Sequence, residues 1–221
     1  MKKIAVFDLD GTLSHTAPTI AEATNILLRE EGREEIPLPL MEDFLGNGAT
    51  ALLKKAYTYL GVPSEELDID RARMGFFAAY ERTYLGAELY EGIEKIVADL
   101  HRKGVLVGVL SNKPHKFVPP LMKKLLPDID FAFTVGQTER PRKPDPTVLL
   151  ELIDKAGSSK ENCIYIGDSD VDIKTARNAG VKAVAVSWGY RKRAVLEELE
   201  PDAIADTWEE LYEILMNFIS E

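Results

Sequence analysis

From about residue 92 onward the chain alternates short apolar runs with amphipathic stretches, and that rhythm admits few folds. The runs are Val105-Leu106-Val107-Gly108-Val109-Leu110, Phe131-Ala132-Phe133-Thr134-Val135, Cys163-Ile164-Tyr165-Ile166 and Ala183-Val184-Ala185-Val186. The intervening residues predict helices over 93–103, 114–125, 146–156 and 171–179, the last closed by Gly180, and a final helix over 208–219. Apolar runs of this length separated by helices specify a parallel sheet covered on both faces. A further run, Ile4-Ala5-Val6-Phe7, sits far upstream, near residue 1.

Residues 14–87 break the rhythm. They show helical periodicity only, over 20–31, 50–60 and 67–85, punctuated by Gly32, Pro37, Pro39, Gly46, Gly48, Gly61 and Pro63. The fold expected is α/β: a Rossmann-like parallel sheet core with helices on both faces, built from 1–13 and 88–221, plus a helical bundle inserted as 14–87. An insertion straight after the first strand hangs over that strand's carboxyl end, where open α/β sheets bind ligands, and is a candidate lid.

At 221 residues and 45% hydrophobic composition, the chain can bury a full core. Its net charge of −10 gives no counterion-release affinity for nucleic acid, and no basic stripe with interleaved aromatics is present. No apolar run is long enough to span a membrane and no signal-like segment stands out. The single cysteine, Cys163, reads as a core thiol in a reducing compartment. A cytoplasmic protein is expected, as a monomer or homodimer, because no interface stripe decides between them.

The chemistry lies at the strand ends. The first run finishes in Asp8-Leu9-Asp10-Gly11-Thr12-Leu13, two carboxylates two residues apart before a Gly-Thr turn. Side chains alternate along a strand, so Asp8 and Asp10 can converge while Leu9 points into the core. Burying such acids is costly unless a metal, a partner or chemistry compensates. The second strand leads into Ser111-Asn112, which at a helix start reads either as a phosphate cradle or as simple N-capping. Lys143, in Arg142-Lys143-Pro144-Asp145-Pro146, either neutralises a phosphoryl group together with Asp8 or is a solvated loop lysine. Gly167-Asp168 ends another strand beside Asp8 if the two strands are neighbours, and Asp172 returns to the same side one helical turn later. Oxygen-only ligands favour Mg²⁺ over zinc; the alternative is a set of helix N-terminal acids.

Acid pair, hydroxyl, lysine and acid pair, in that order, resemble the haloacid dehalogenase superfamily across the whole chain. The resemblance implies that Asp8 attacks phosphorus to form an aspartyl-phosphate and that Asp10 serves as acid and then base. It implies that Gly11, Thr12, Ser111, Asn112 and Lys143 surround the phosphoryl group. It also implies Mg²⁺ on Asp8, the Asp10 carbonyl and Asp168, with Asp172 as outer support. The second aspartate, Asp10, separates phosphatases and phosphomutases from dehalogenases and phosphonatases.

Among these, Leu45-Gly46-Asn47-Gly48-Ala49-Thr50 and Leu110-Ser111-Asn112-Lys113-Pro114 look most like phosphoglycolate phosphatases. Ile20 stands where mutases resembling β-phosphoglucomutase usually carry histidine. The expected substrate is a small phosphorylated metabolite, phosphoglycolate first, with Gly46, Asn47 and Gly48 as a cap loop facing a substrate anion or simply capping a helix. Alternatives are a phosphatase for pyrophosphate, a sugar phosphate or a nucleotide, a mutase, or a binding module on a phosphatase scaffold. One departure from the family pattern is His15, where an acid usually stands at the hinge into the cap.

Overall fold

In the computed structural model, which describes residues 2–221, the first apolar run forms β1 (Ile4–Phe7), buried along its whole length. β2 (Ser14–His15) follows, then α1 (Ala17–Glu30), α2 (Leu38–Glu42), α3 (Gly48–Tyr59) and α4 (Ile69–Thr83), and then β3 (Glu88–Leu89), which pairs with β2. The remainder alternates as α5 (Ile93–Arg102), β4 (Leu106–Pro114), α6 (Val118–Leu125), β5 (Phe133–Gln137), α7 (Thr147–Lys155), β6 (Cys163–Gly167) and α8 (Asp170–Ala179). It ends with β7 (Lys182–Val186), α9 (Arg193–Glu197), β8 (Ala203–Ala205) and α10 (Trp208–Ser220).

The large sheet has the order β5-β4-β1-β6-β7-β8 and every pairing in it is parallel. This is the expected Rossmann-like core. β1 lies between β4 and β6, with Phe7 opposite Val109 on one side and Ile166 on the other. The chain builds outward from β1 in one direction and then in the other, so β1, β4 and β6 surround the switch point where such sheets bind ligands. Strand alternation divides the core. Ile4 and Val6 pack with Leu110, Tyr165 and the apolar faces of α7 and α8, including Leu149, Ile153, Ile173 and Ala176.

The chain divides into two compact units, one running up to His15 and resuming as Leu89–Glu221, the other Thr16–Glu88. The second unit is helical. Within it α1 packs on α4, and a Cβ at Gly75 would collide with Leu27, so the glycine sets how closely those helices approach. Asn25 pins the following loop by donating from Nδ2 to the Ile36 carbonyl (3.0 Å) and accepting from the Ile36 N–H at Oδ1 (2.9 Å). No helix among the described residues is long and apolar enough to cross a membrane.

Two local differences from the sequence reading matter for the site. β4 does not stop at Leu110 but continues to Pro114, with a register shift against β5 between Leu110 and Pro114. The helix expected from residue 114 begins only at Val118, after a single 3₁₀ turn over His115–Phe117. Pro119 and Pro120 explain the delay, because proline is tolerated only in the first turn of a helix. The Ser111-Asn112 segment is thus extended strand, not a helix start.

Candidate active site

β1 runs out at Phe7, and Asp8 continues its ladder by one bond, its N–H donating to the Ile166 carbonyl at 2.9 Å. This fixes Asp8 between β4 and β6 at their carboxyl ends. The chain then turns sharply: the Leu9 carbonyl accepts from the N–H groups of Thr12, Leu13 and Ser14, and Gly11 adopts φ +86°. A Cβ at Gly11 would also run into the Asp168 carboxylate, so backbone angle and space both call for glycine here.

β6 delivers Asp168 in the same way. Asp168 is buried (1% exposed) and its oxygens accept from the Thr12 hydroxyl (2.9 Å) and the Tyr190 N–H (2.8 Å). Asp172 sits behind it in the first turn of α8. Its Oδ2 accepts from the N–H (3.1 Å) and hydroxyl (2.5 Å) of Ser169, closing a capping box. The glycine of the Gly-Asp motif has a steric reason: a Cβ at Gly167 would overlap the Asp172 side chain.

Lys143 joins these acids. It is buried, with Nζ at 2.6 Å from Asp172 Oδ1, 2.8 Å from Asp8 Oδ1 and 3.1 Å from the Tyr165 hydroxyl. The Tyr165 hydroxyl in turn lies 3.1 Å from the Leu110 carbonyl, tying Lys143 to β4. Asn112 holds the backbone of the same lysine from both sides, through its Oδ1 and Nδ2. Lys143 is therefore a fixed cation and not a solvated loop residue.

Carboxylate oxygens of Asp8, Asp168 and Asp172 all come within 4.8 Å of one another. Burial, followed by Asp172 and Asp10, pushes the Asp8 carboxyl up to about 7, against the opposing pull of Lys143. Burial also raises Asp168 well above the usual range, aided by Asp172 and Asp8. Burial works against the Lys143 charge, but Asp172 and Asp8 outweigh it and hold the ammonium well above its ordinary value.

The expected residues fall into three groups. Asp8, Asp168, Asp172 and Lys143 meet in one cluster. Asp10 stands beside it, with Oδ1 at 2.8 Å from Lys113 Nζ, while Ser111 Oγ accepts from the Lys113 N–H at 3.2 Å. Gly11, Thr12 and Asn112 shape this core. The N–H of Gly11 donates to the Ser14 carbonyl and that of Thr12 to Leu9, the Thr12 hydroxyl holds Asp168, and the Asn112 amide holds Lys143. These bonds brace the site from within the protein.

Gly46, Asn47 and Gly48 belong to the helical unit, where both glycines take positive φ (93° and 80°) and lead into α3. His15 lies in β2, its ring 5.4 Å from that of Tyr90.

Sequence reasoning missed several contributors. Lys113 and Tyr165 were visible only as members of strand-end motifs. The loop after β7 gave no motif at all, yet Trp188 donates from Nε1 to the Thr12 carbonyl (3.2 Å) and the Tyr190 N–H binds Asp168. Between them, a Cβ at Gly189 would strike Asp168 and the Gly11 carbonyl.

A parallel α/β sheet whose central strand tips carry buried acids around one lysine puts its reactive groups where open α/β sheets bind ligands. Comparison with known proteins makes the assignment specific. The signature of haloacid dehalogenase-like hydrolases matches residues 5–186, spanning β1 through β7. Phosphoglycolate phosphatase 1 of Pseudomonas aeruginosa is 31% identical over 216 residues, covering 96% of this chain and 79% of that protein. A phosphoglycolate phosphatase of Vibrio cholerae is 32% identical over 219 residues, covering 97% of both chains. A solved structure from Lactobacillus delbrueckii subsp. bulgaricus, provisionally described as a phosphoglycolate phosphatase, superimposes with TM-score 0.88 at 30% identity. It covers 97% of this chain and 99% of that one. The chain belongs to the haloacid dehalogenase-like hydrolase family. Within that family it is a phosphatase.

Proposed function

We propose that the protein is a Mg²⁺-dependent phosphomonoester hydrolase that works through an aspartyl-phosphate on Asp8, with phosphoglycolate as its substrate. The observation that carries this reading is the position of Asp8, buried against Lys143 on one side and the acid pair Asp168/Asp172 nearby, with Asp10 held separately.

The donor set fits a hard divalent cation. It offers oxygens only, and the burial of Asp8, Asp168 and Asp172 around Lys143 favours protonated acids unless a further cation joins them. Asp8, Asp168 and the Asp10 backbone carbonyl would hold Mg²⁺, with Asp172 behind them. When bound, the ion supplies charge neutralisation, without which one anion would not approach another.

The residues act in two stages. An Asp8 oxygen attacks phosphorus while the ester P–O bond breaks and Asp10 gives its proton to the departing alcohol. Asp10 then takes a proton from water as that water attacks phosphorus, breaking the Asp8–phosphorus bond and releasing inorganic phosphate. Lys143 and the Ser111 hydroxyl hold the phosphoryl oxygens. Lys143 also keeps Asp8 oriented, because the two share an ion pair and Asp172 holds the lysine's other side.

The substrate rests on the relatives, which are named phosphoglycolate phosphatases. The helical residues 14–87 are assigned the role of a cap that selects the substrate, and Gly46, Asn47 and Gly48 that of facing its carboxylate, since amides that lead into a helix favour an anion. The test is phosphate release from phosphoglycolate, pyrophosphate, nucleoside monophosphates and hexose phosphates, with Mg²⁺ or with EDTA. Metal-dependent release led by phosphoglycolate supports the whole reading. Release led by another ester keeps the chemistry and removes the substrate. Interconversion of a sugar phosphate without net release indicates a mutase, and no reaction at all indicates a binding role.

A further inference from the structure

We infer that Lys113 is a positioning residue for Asp10, fixing one carboxylate oxygen so that the other meets the leaving group. This rests on the reading of Asp10 as acid and base.

The strand geometry puts Lys113 there. β4 continues through an irregularity to Pro114 and carries Asn112 and Lys113 to different partners. Asn112 goes to the Lys143 backbone, and Lys113 goes to Asp10. Ser111 joins the lysine's side of the strand by accepting its N–H.

Burial makes the placement costly and therefore specific. The Lys113 side chain is 4% exposed, whereas that of Asp10 is 20% exposed. A buried ammonium must have a charged or strongly polar partner, and here Nζ lies 2.8 Å from Asp10 Oδ1. The Asp10 backbone is already set by the turn on the Leu9 carbonyl. With Oδ1 held as well, the carboxylate has little rotational freedom left, and Oδ2 is the oxygen left to meet a substrate. Lys113 also supplies a positive charge beside the second acid, as Lys143 does beside the first. The two lysines divide the site: Lys143 serves the attacking carboxylate and Lys113 the proton-transferring one.

The consequence depends on the leaving group. A good leaving group needs no proton and a poor one does, so a misplaced acid is felt only by the second. The test compares kcat/KM, which reports the first phosphoryl transfer, for p-nitrophenyl phosphate and phenyl phosphate. These esters have nearly the same shape and neither carries a carboxylate. Lys113→Met should lower kcat/KM for phenyl phosphate by at least about tenfold more than for p-nitrophenyl phosphate. Asp10→Asn should show the same selectivity, and adding Lys113→Met to it should bring no further selective loss. Lys113→Gln provides the same comparison if the methionine variant does not fold. An equal loss on both esters, or none on either, overturns the inference and leaves the reading of Asp10 standing. A selective loss in the lysine variants without one in Asp10→Asn also overturns it. A wild-type enzyme that hydrolyses neither ester nor any of the metabolite panel overturns the functional reading and this inference together.

Discussion

Asn112 and Lys143 hold each other through a reciprocal pair of hydrogen bonds. The Asn112 Nδ2 donates to the Lys143 carbonyl and its Oδ1 accepts from the Lys143 N–H, each at 3.0 Å. Residues 31 positions apart are thereby locked together, and the loop carrying the buried cation is tied to the tip of β4. Asn112→Ala removes both bonds. It should lower stability by about 1–3 kcal/mol and kcat/KM by about 10- to 100-fold, because Lys143 loses its fixed place. Urea unfolding and steady-state kinetics check this; an unchanged kcat/KM would show that the clamp does not position the lysine.

Lys143 is the one ammonium among three buried acids. Lys143→Met leaves Asp8 and Asp172 without their shared partner and should destabilise the metal-free protein by about 3–5 kcal/mol at pH 8. The loss should shrink toward pH 5, where Asp8 takes up its proton. Urea midpoints at the two pH values test this, and a destabilisation that is the same at both would contradict the electrostatic explanation.

Metal affinity should depend on pH through Asp8. Burial raises its carboxyl from 3.8 to about 7, so below that pH a cation must displace a proton. Apparent Mg²⁺ affinity should therefore climb by at least about tenfold per pH unit below about 7. The sign for stability is opposite. Without metal, the unfolded chain ionises Asp8 near 3.8 while the folded one keeps its proton to about 7, so the folded state loses stability as pH rises across that window. Calorimetric titration with Mg²⁺ at several pH values would show the first effect, and a flat profile would refute it.

The parallel sheet and the placing of Asp8 and Asp168 at strand ends were legible because each depends on local pattern. Four-residue apolar runs such as Ile4–Phe7 can be buried on both faces only as central strands, and Asp8 and Asp168 follow such runs directly. What was not legible depends on contacts distant in sequence. β4 extends past Leu110 and pairs with β5 again at Pro114, opposite Gln137, which nothing in Ser111-Asn112-Lys113 announces, and the role of Lys113 was lost with it. β8, three residues long, is too short to give a period. Tyr165 reads as one more apolar-run residue until its hydroxyl is seen between Lys143 and Leu110.

The loop after β7 offers a sharper case, since no motif marks Gly189. Gly189 lies against Asp168 and the Gly11 carbonyl with no room for a side chain. Gly189→Ala should push Asp168 out of place and raise the Mg²⁺ concentration needed for half-maximal activity by about tenfold or more. A metal titration of the variant tests this, and an unchanged requirement would show that the loop yields without moving Asp168.

The central claim is that Asp8 carries the phosphoryl group in transit. Rapid acid quenching of the enzyme during turnover with Mg²⁺ and phosphoglycolate, followed by peptide mass analysis, measures it directly. The account predicts a mass gain of one phosphoryl group on the peptide containing Asp8, absent without Mg²⁺ and absent in Asp8→Asn, which should also be inactive while still folded. Phosphate release that proceeds with no adduct on that peptide and persists in Asp8→Asn would contradict it.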